Sequence, residues 1–154
     1  MSTSPVRYLC VDLGDKRTGL AVSDSVTRLV TPLEVLEVPV SHEGGEALIR
    51  AIVAAARELV GERGRLEVVV GLPLVQEGKE GPRAKQVRSF AERVRAALGC
   101  PLHFQDETLT SVEADWSMAR SGMTRGEKKA RRDALAAAVI LRDFLAQSRS
   151  EGEA

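Results

Sequence analysis

Three acidic residues, far apart in the chain, stand in settings that can bring them to one point. Asp12 ends the apolar run Tyr8-Leu9-Cys10-Val11-Asp12, and Glu107 follows the strand-like run Pro101-Leu102-His103-Phe104-Gln105-Asp106. Asp133 opens the Ala-rich stretch Asp133-Ala134-Leu135-Ala136-Ala137-Ala138. Carboxylates gathered at strand ends against a facing helix suit hard divalent cations, which take oxygen ligands. A pair of such ions can hold both the attacking and the leaving oxygen of a phosphodiester. The chemistry implied is metal-dependent phosphodiester hydrolysis, with Asp12, Glu107 and Asp133 holding two Mg²⁺ or Mn²⁺ ions.

Each residue also has a plainer reading. An Asp before a hairpin turn serves equally well as a turn residue. Adjacent strand residues point to opposite faces, so Glu107 is assigned as the ligand and Asp106 to orienting a neighbour or a water. Asp133 would suit a helix dipole if it lay in the first turn. A helix beginning at Arg125 puts it two turns in, beyond that effect, and the alanines after it let the helix lie close to the sheet. Gly14 lets the backbone turn close to a ligand. Gly71-Leu72-Pro73-Leu74 turns the chain at the rim of a cleft, where α/β proteins bind ligands. Lys16 and Arg17 can contact a phosphate or simply be exposed. Thr108, Thr110 and Ser111 can touch substrate or cap the next helix. His42 and His103 are isolated and read as surface or packing residues.

The elements that must position these residues follow from hydrophobic patterning. Residues 6–13 read as a buried strand joined to a second over 17–24 by a Gly-Asp-Lys turn, a hairpin signal. A third strand, over 33–38, falls at the sheet edge. Leu48, Ile49, Ile52, Val53, Ala56 and Leu59 recur at helical spacing over 46–60, and Gly61 and Gly64 close that helix. The β-branched run 66–70 is a fourth strand, 83–98 a helix stopped by Gly99, and 101–106 a fifth strand. Helices follow from Thr110 or Ser111 to about residue 121 and over about 125–147, with a polar tail over 148–154. Three leading strands suggest a meander, and the strand–helix alternation after them suggests parallel crossovers. The expectation is one mixed-sheet α/β domain over residues 1–154.

Bulk properties narrow the function. The chain has 154 residues, 44% hydrophobic and 29% charged, ordinary for a soluble globular domain. Aromatics make up 3% of it, too few for a surface that reads single-stranded bases by stacking. Net charge is zero, but the charges are uneven: 8 of the 22 Lys and Arg fall in residues 1–77 and 14 in 78–154. One basic stretch holds Arg83, Lys85, Arg88, Arg93 and Arg95. The denser one holds Arg120, Arg125, Lys128, Lys129, Arg131 and Arg132 and leads into Asp133. Basic residues flanking an acidic pocket suit a phosphate backbone approaching a metal site, which makes Arg131 and Arg132 candidate guides. Cys10 and Cys100 lack paired ligand spacing and read as buried thiols. The first residues are not a signal peptide and no apolar stretch approaches membrane-spanning length, so the expected location is the cytoplasm.

Taken together, these segments resemble the YqgF family of Holliday-junction-resolvase-like proteins and pre-16S rRNA nucleases. The likeness is carried by the stretches Asp12–Ser23, Val70–Leu74, Asp106–Ala114 and Asp133–Leu141, in the family's order, and spans about residues 7 to 145. It implies a ribonuclease H-like fold with a five-stranded mixed sheet in the order 3-2-1-4-5. It also implies a bacterial cytoplasmic enzyme that trims the 5′ end of the 16S ribosomal RNA precursor, with acidic residues at Asp12, Glu107 and Asp133. One departure is Thr108, where the family commonly has Arg. If that Arg contacts phosphate, Lys16, Arg17 or the basic helix must compensate.

The expected partners are thus nucleic acid, with RNA favoured over a DNA junction, and the small ribosomal subunit, with no membrane, and the protein is expected as a monomer or homodimer. Rival readings are a resolvase that cuts four-way DNA junctions and a non-catalytic RNA-binding factor of ribosome biogenesis. A phosphate-binding ATPase fragment comes last, because such folds normally need two domains to enclose a nucleotide.

Overall fold

The computed structural model describes residues 5–61, 64–75, 79–107 and 125–153, with side chains of the last helix described over 132–147. The helix expected near 111–121 lies outside these residues, and so does Thr108. Strand β1 (Val6–Leu13) forms because an apolar residue falls at nearly every position, as a strand buried on both faces requires. Strands β2 (Thr18–Asp24) and β3 (Thr31–Leu36) follow antiparallel, and β3 forms one edge. Pro32 lies within β3, where an edge strand tolerates a residue that cannot donate. Helix α1 (Glu46–Val60) then crosses to β4 (Arg65–Leu72), and α2 (Pro82–Leu98) crosses to β5 (Leu102–Asp106). Both crossovers make parallel pairs, β1 with β4 and β4 with β5. The sheet order is β3-β2-β1-β4-β5, as the resemblance implies.

The final helix, α3, runs Arg125–Glu153 and continues past the stop expected at Gln147. Gly152 is the first helix breaker the chain offers after residue 126, so no residue type halts the helix earlier. No helix among the described residues is long and apolar enough to cross a membrane.

Two layers of side chains clamp the sheet. On one face Leu9, Val11, Leu20, Val68 and Val70 pack with Leu48 and Ile52 of α1 and Val87 and Val94 of α2. On the other, Cys10, Ala21 and Val69 pack under Ala137, Ile140, Leu141 and Leu145 of α3. Strand alternation puts Tyr8, Cys10 and Asp12 on the α3 side of β1, and Glu67, Val69 and Gly71 on the same side of β4.

The closest approach of helix to sheet fixes where α3 begins to cover the strands. A Cβ built on Gly19 of β2 would lie 1.9 Å from the backbone oxygen of Asp133 and 2.8 Å from the nitrogen of Ala134. Only a residue without a side chain lets these two backbones meet. Gly19 pairs directly with Asp12 across the β1–β2 ladder. Asp133 is therefore held one strand away from Asp12 by a backbone contact.

Gly19→Ala must push α3 off β2, with no flexible side chain to yield. We expect it to destabilise the protein by about 2–3 kcal/mol, read as a lower midpoint in urea. A wild-type midpoint would contradict the contact.

Candidate active site

Asp12 stands at the end of β1, facing α3, and is more than half buried. Beside it in the sheet lies Gly71, one step beyond the Val11–Val70 pair. Glu107 comes immediately after β5, whose final residue pairs with Leu72, and its amide extends that ladder to the Leu72 carbonyl at 3.3 Å. Strand β4 separates β5 from β1, so Glu107 has to reach across it to meet Asp12. It does so over Gly71, where a Cβ would lie 2.8 Å from Glu107 Oε2. The Glu107 carboxyl thereby comes close enough to Asp12 to raise its pKa. The sequence marked Gly71 only as a tight turn at a rim; its place is inside β4, as the bare floor between two acids.

The surroundings of Asp12 disfavour its charged form. Burial pushes its pKa well above the ordinary carboxylate range, and the Glu107 hydrogen bond, the Glu107 charge and the Asp133 charge push the same way. The Arg83 guanidinium pulls against them. Cys10, fully buried two residues earlier on the same face, is raised by burial and then by the charges of Asp12 and Glu107. Its thiol is a neutral core group and fits the buried reading.

Asp133 is the third acid. Its carboxylate pairs with Arg17, Nε to Oδ2 at 3.4 Å. No three of the described His, Cys, Asp and Glu side chains stand close enough to chelate one ion as they are placed. Two carboxylates are thus in contact, and the third is turned to a guanidinium on the same side of the sheet. Like charges gathered at one point repel, and Arg17 is a cation within reach of Asp133. The donor set still fits a hard cation: three carboxylates, all oxygen, two of them with no other described hydrogen-bonding side chain.

The turn that carries Asp12 is braced from below. Arg83, in the first turn of α2, donates to Asp15 Oδ1 at 2.8 Å and to the Leu13 carbonyl at 3.0 Å. Sequence reasoning placed Arg83 only in a basic stretch. Its signal was a long cation near a helix start, which does not reveal its partner. Gly14 is also required by the turn. A Cβ there would sit 2.3 Å from the Arg17 carbonyl, so the glycine serves the turn itself.

The other expected binding residues divide. Lys16 is exposed in the same turn, and Arg132 is exposed next to Asp133. Thr108 and the side chain of Arg131 lie outside the described residues. Asp106 is exposed, on the strand face opposite to Glu107. The basic stretch of α2 is not a bare cationic face. Arg88 pairs with Glu80, Arg93 with Glu46 at 2.6 Å and Arg95 with Glu92 at 2.6 Å.

His103 meets Glu67 at 2.6 Å and stacks near Phe144 at 5.1 Å. It lies about 13 Å back along the strand from Glu107 and takes no part in the acid cluster. A hollow of about 410 Å³ between Arg57, Arg65 and Cys100, at the opposite end of the sheet, also touches none of the acids.

Comparison with known proteins agrees with this architecture. A family profile described as "RuvX: Holliday junction resolvase" matches residues 6–147. A protein of Chloroflexus aurantiacus named "Putative pre-16S rRNA nuclease" is 39% identical over 142 residues, which cover 92% of this chain and 88% of that one. A protein of the same name from Anaeromyxobacter sp. is 43% identical over 140 residues, covering 91% and 96%. Among solved structures, T. thermophilus RuvC in complex with Holliday junction substrate superposes with a TM-score of 0.53 at 15% identity. That match covers 93% of this chain and 96% of RuvC, and it establishes the ribonuclease H-like fold. The chain belongs to the RuvX family, the YqgF group whose motifs run through its sequence.

Proposed function

We propose that this protein is a nuclease whose phosphodiester hydrolysis depends on divalent cations held by Asp12, Glu107 and Asp133. The observation that carries the reading is the carboxyl pair of Asp12 and Glu107, joined over Gly71 at the end of the sheet. A fold selected for stability alone would not bury two acids against each other. Such an arrangement marks a site built to receive positive charge. Mg²⁺ or Mn²⁺ bound there would activate a water and stabilise the leaving oxygen of the cleaved strand.

The remaining roles belong to the protein's own groups. The Gly19 contact holds Asp133 over the strand ends. Arg83 fixes the Leu13–Asp15 turn, so that Asp12 presents its carboxyl at one height. Lys16 and Arg17 sit in the same turn, where the phosphate backbone would pass, and Arg132 flanks Asp133 on α3. Arg131 and Thr108 complete the proposed contacts.

The favoured substrate is the 16S ribosomal RNA precursor, because the relatives at about 40% identity carry that name over nearly their whole length. The favoured setting is the cytoplasm, beside the small ribosomal subunit. A four-way DNA junction is the second reading, supported by the family's own description.

Cleavage of end-labelled precursor RNA and of a DNA junction, each with Mn²⁺ or with EDTA, tests the proposal. Metal-dependent cutting of the RNA that falls at least a hundredfold in Glu107→Gln is expected. Undiminished cutting by Glu107→Gln would remove that residue from the site. Cutting of the junction alone would move the activity to DNA. Gly71→Ala should stay folded at a cost of about 1–3 kcal/mol, because its Cβ would lie 2.6 Å from Cδ1 of the buried Ile140 and 2.8 Å from Glu107 Oε2. It should nonetheless lose most of the activity; full activity would show that Glu107 need not cross β4.

Asp12→Asn removes a buried carboxyl while its amide can still donate to Glu107. It should therefore raise stability in EDTA by about 1 kcal/mol as it abolishes cleavage. A clear loss of stability would argue that the Asp12 carboxyl serves the fold.

A further inference from the structure

We propose that Arg17 is a positioning residue that exchanges partners, holding Asp133 until a nucleic-acid phosphate draws it away and leaves that carboxylate to a cation. The proposal rests on the metal-nuclease reading above and concerns how the same site is loaded.

Three observations support it. The first is enforced proximity. Gly19 follows Arg17 by two residues, and its backbone abuts that of Asp133, so the turn and the helix cannot separate. The second is accessibility: the paired side chains are 38% and 29% exposed, so each can be reached from solvent. The third is geometry. The nearest approach of Arg17 to Asp133 is Nε to Oδ2 at 3.4 Å, long for a charge-assisted hydrogen bond, and a partly exposed pair at that distance is weakly held. Arg83 in the same region is the contrast, not in exposure, since its pair with Asp15 is 36% and 80% exposed, but in its shorter hydrogen bonds to Asp15 and to the Leu13 carbonyl. Arg83 is a strut. Arg17 is a contact that can be traded.

The chemistry of the two partners sets the direction of the trade. A guanidinium and a divalent cation compete for the same carboxylate, and a carboxylate and a phosphate compete for the same guanidinium. Asp133 also stands one strand from Asp12, since its backbone abuts Gly19 and Gly19 pairs with Asp12 across the ladder, so it already belongs to the acid cluster by position. Lys16 and Arg132, on the two elements that meet here, are exposed and add positive charge that draws a phosphate in. A phosphate on Arg17 therefore favours a cation on Asp133. By linkage the cation must favour the phosphate equally. Metal loading and substrate binding become coupled through one ion pair.

The test compares Mn²⁺ affinity, by calorimetry without nucleic acid, in wild type, Arg17→Ala and Arg17→Gln, the last retaining most of the stem's packing. A short single-stranded RNA is then titrated in EDTA against wild type, Asp133→Asn, Arg17→Ala and the double variant. Removing Arg17 should tighten Mn²⁺ binding roughly two- to fivefold and weaken RNA binding. Asp133→Asn should tighten RNA binding when Arg17 is present and much less when it is absent, the non-additivity that a double-mutant cycle isolates. Natively folded Arg17 variants with unchanged or weaker Mn²⁺ affinity would overturn the exchange and leave the pair a structural brace. Wild type that takes up no Mn²⁺ at millimolar concentration would instead remove the metal-nuclease reading, and the exchange with it.

Discussion

The contact between Gly19 and the Asp133 backbone governs the rest of the arrangement. A helix normally stands off a sheet by the length of its side chains. Here the missing Cβ of Gly19, with the small residues Ala134, Ala136 and Ala137 after Asp133, brings α3 down onto β2. From that point Ile140 and Leu141 seal the sheet face, and an acid on a helix comes within electrostatic reach of an acid on a strand. The same contact sets Arg17, two residues before Gly19, against Asp133. Core packing and the candidate site thus share one origin.

A second glycine does for β4 what Gly19 does for β2. The strand order places β4 between the strands that carry Asp12 and Glu107, and a side chain at position 71 would stand between the two carboxyls. With hydrogen there, they meet. The cost appears in electrostatics: burial and neighbouring negative charge hold Asp12 well above its ordinary pKa. Arg83 offsets part of this from one side, and Arg17 engages Asp133 on the other. The site reads as acids under compression, relieved by two arginines of different permanence.

Much of the fold was legible from patterning, because buried strands such as Val6–Leu13 and Arg65–Leu72 are runs of apolar residues between turn signals. The strand order came from the resemblance to a family and not from periodicity. The three acids were legible for the same mixed reasons: two lay at strand ends, and the third sat two turns into a helix too Ala-rich to stand away from the sheet. What the sequence did not reveal was pairing across elements. Glu107 over Gly71, Arg83 to the Leu13 carbonyl and Arg17 to Asp133 all depend on strand register and helix height, and a shift of one residue would undo each. The arginines of α2 were misleading for this reason: as a stretch they look free, but Glu46, Glu80 and Glu92 engage three of them.

The central claim is that Asp12, Glu107 and Asp133 together form one cation site. A crystal of the protein soaked in Mn²⁺, with diffraction measured for anomalous scattering, addresses it without reference to substrate. The account predicts anomalous density between these three residues, with carboxylate oxygens at about 2.1 Å and the Asp133 side chain turned from Arg17. Saturating Mn²⁺ that leaves no density there, with Asp133 still turned to Arg17, would contradict it.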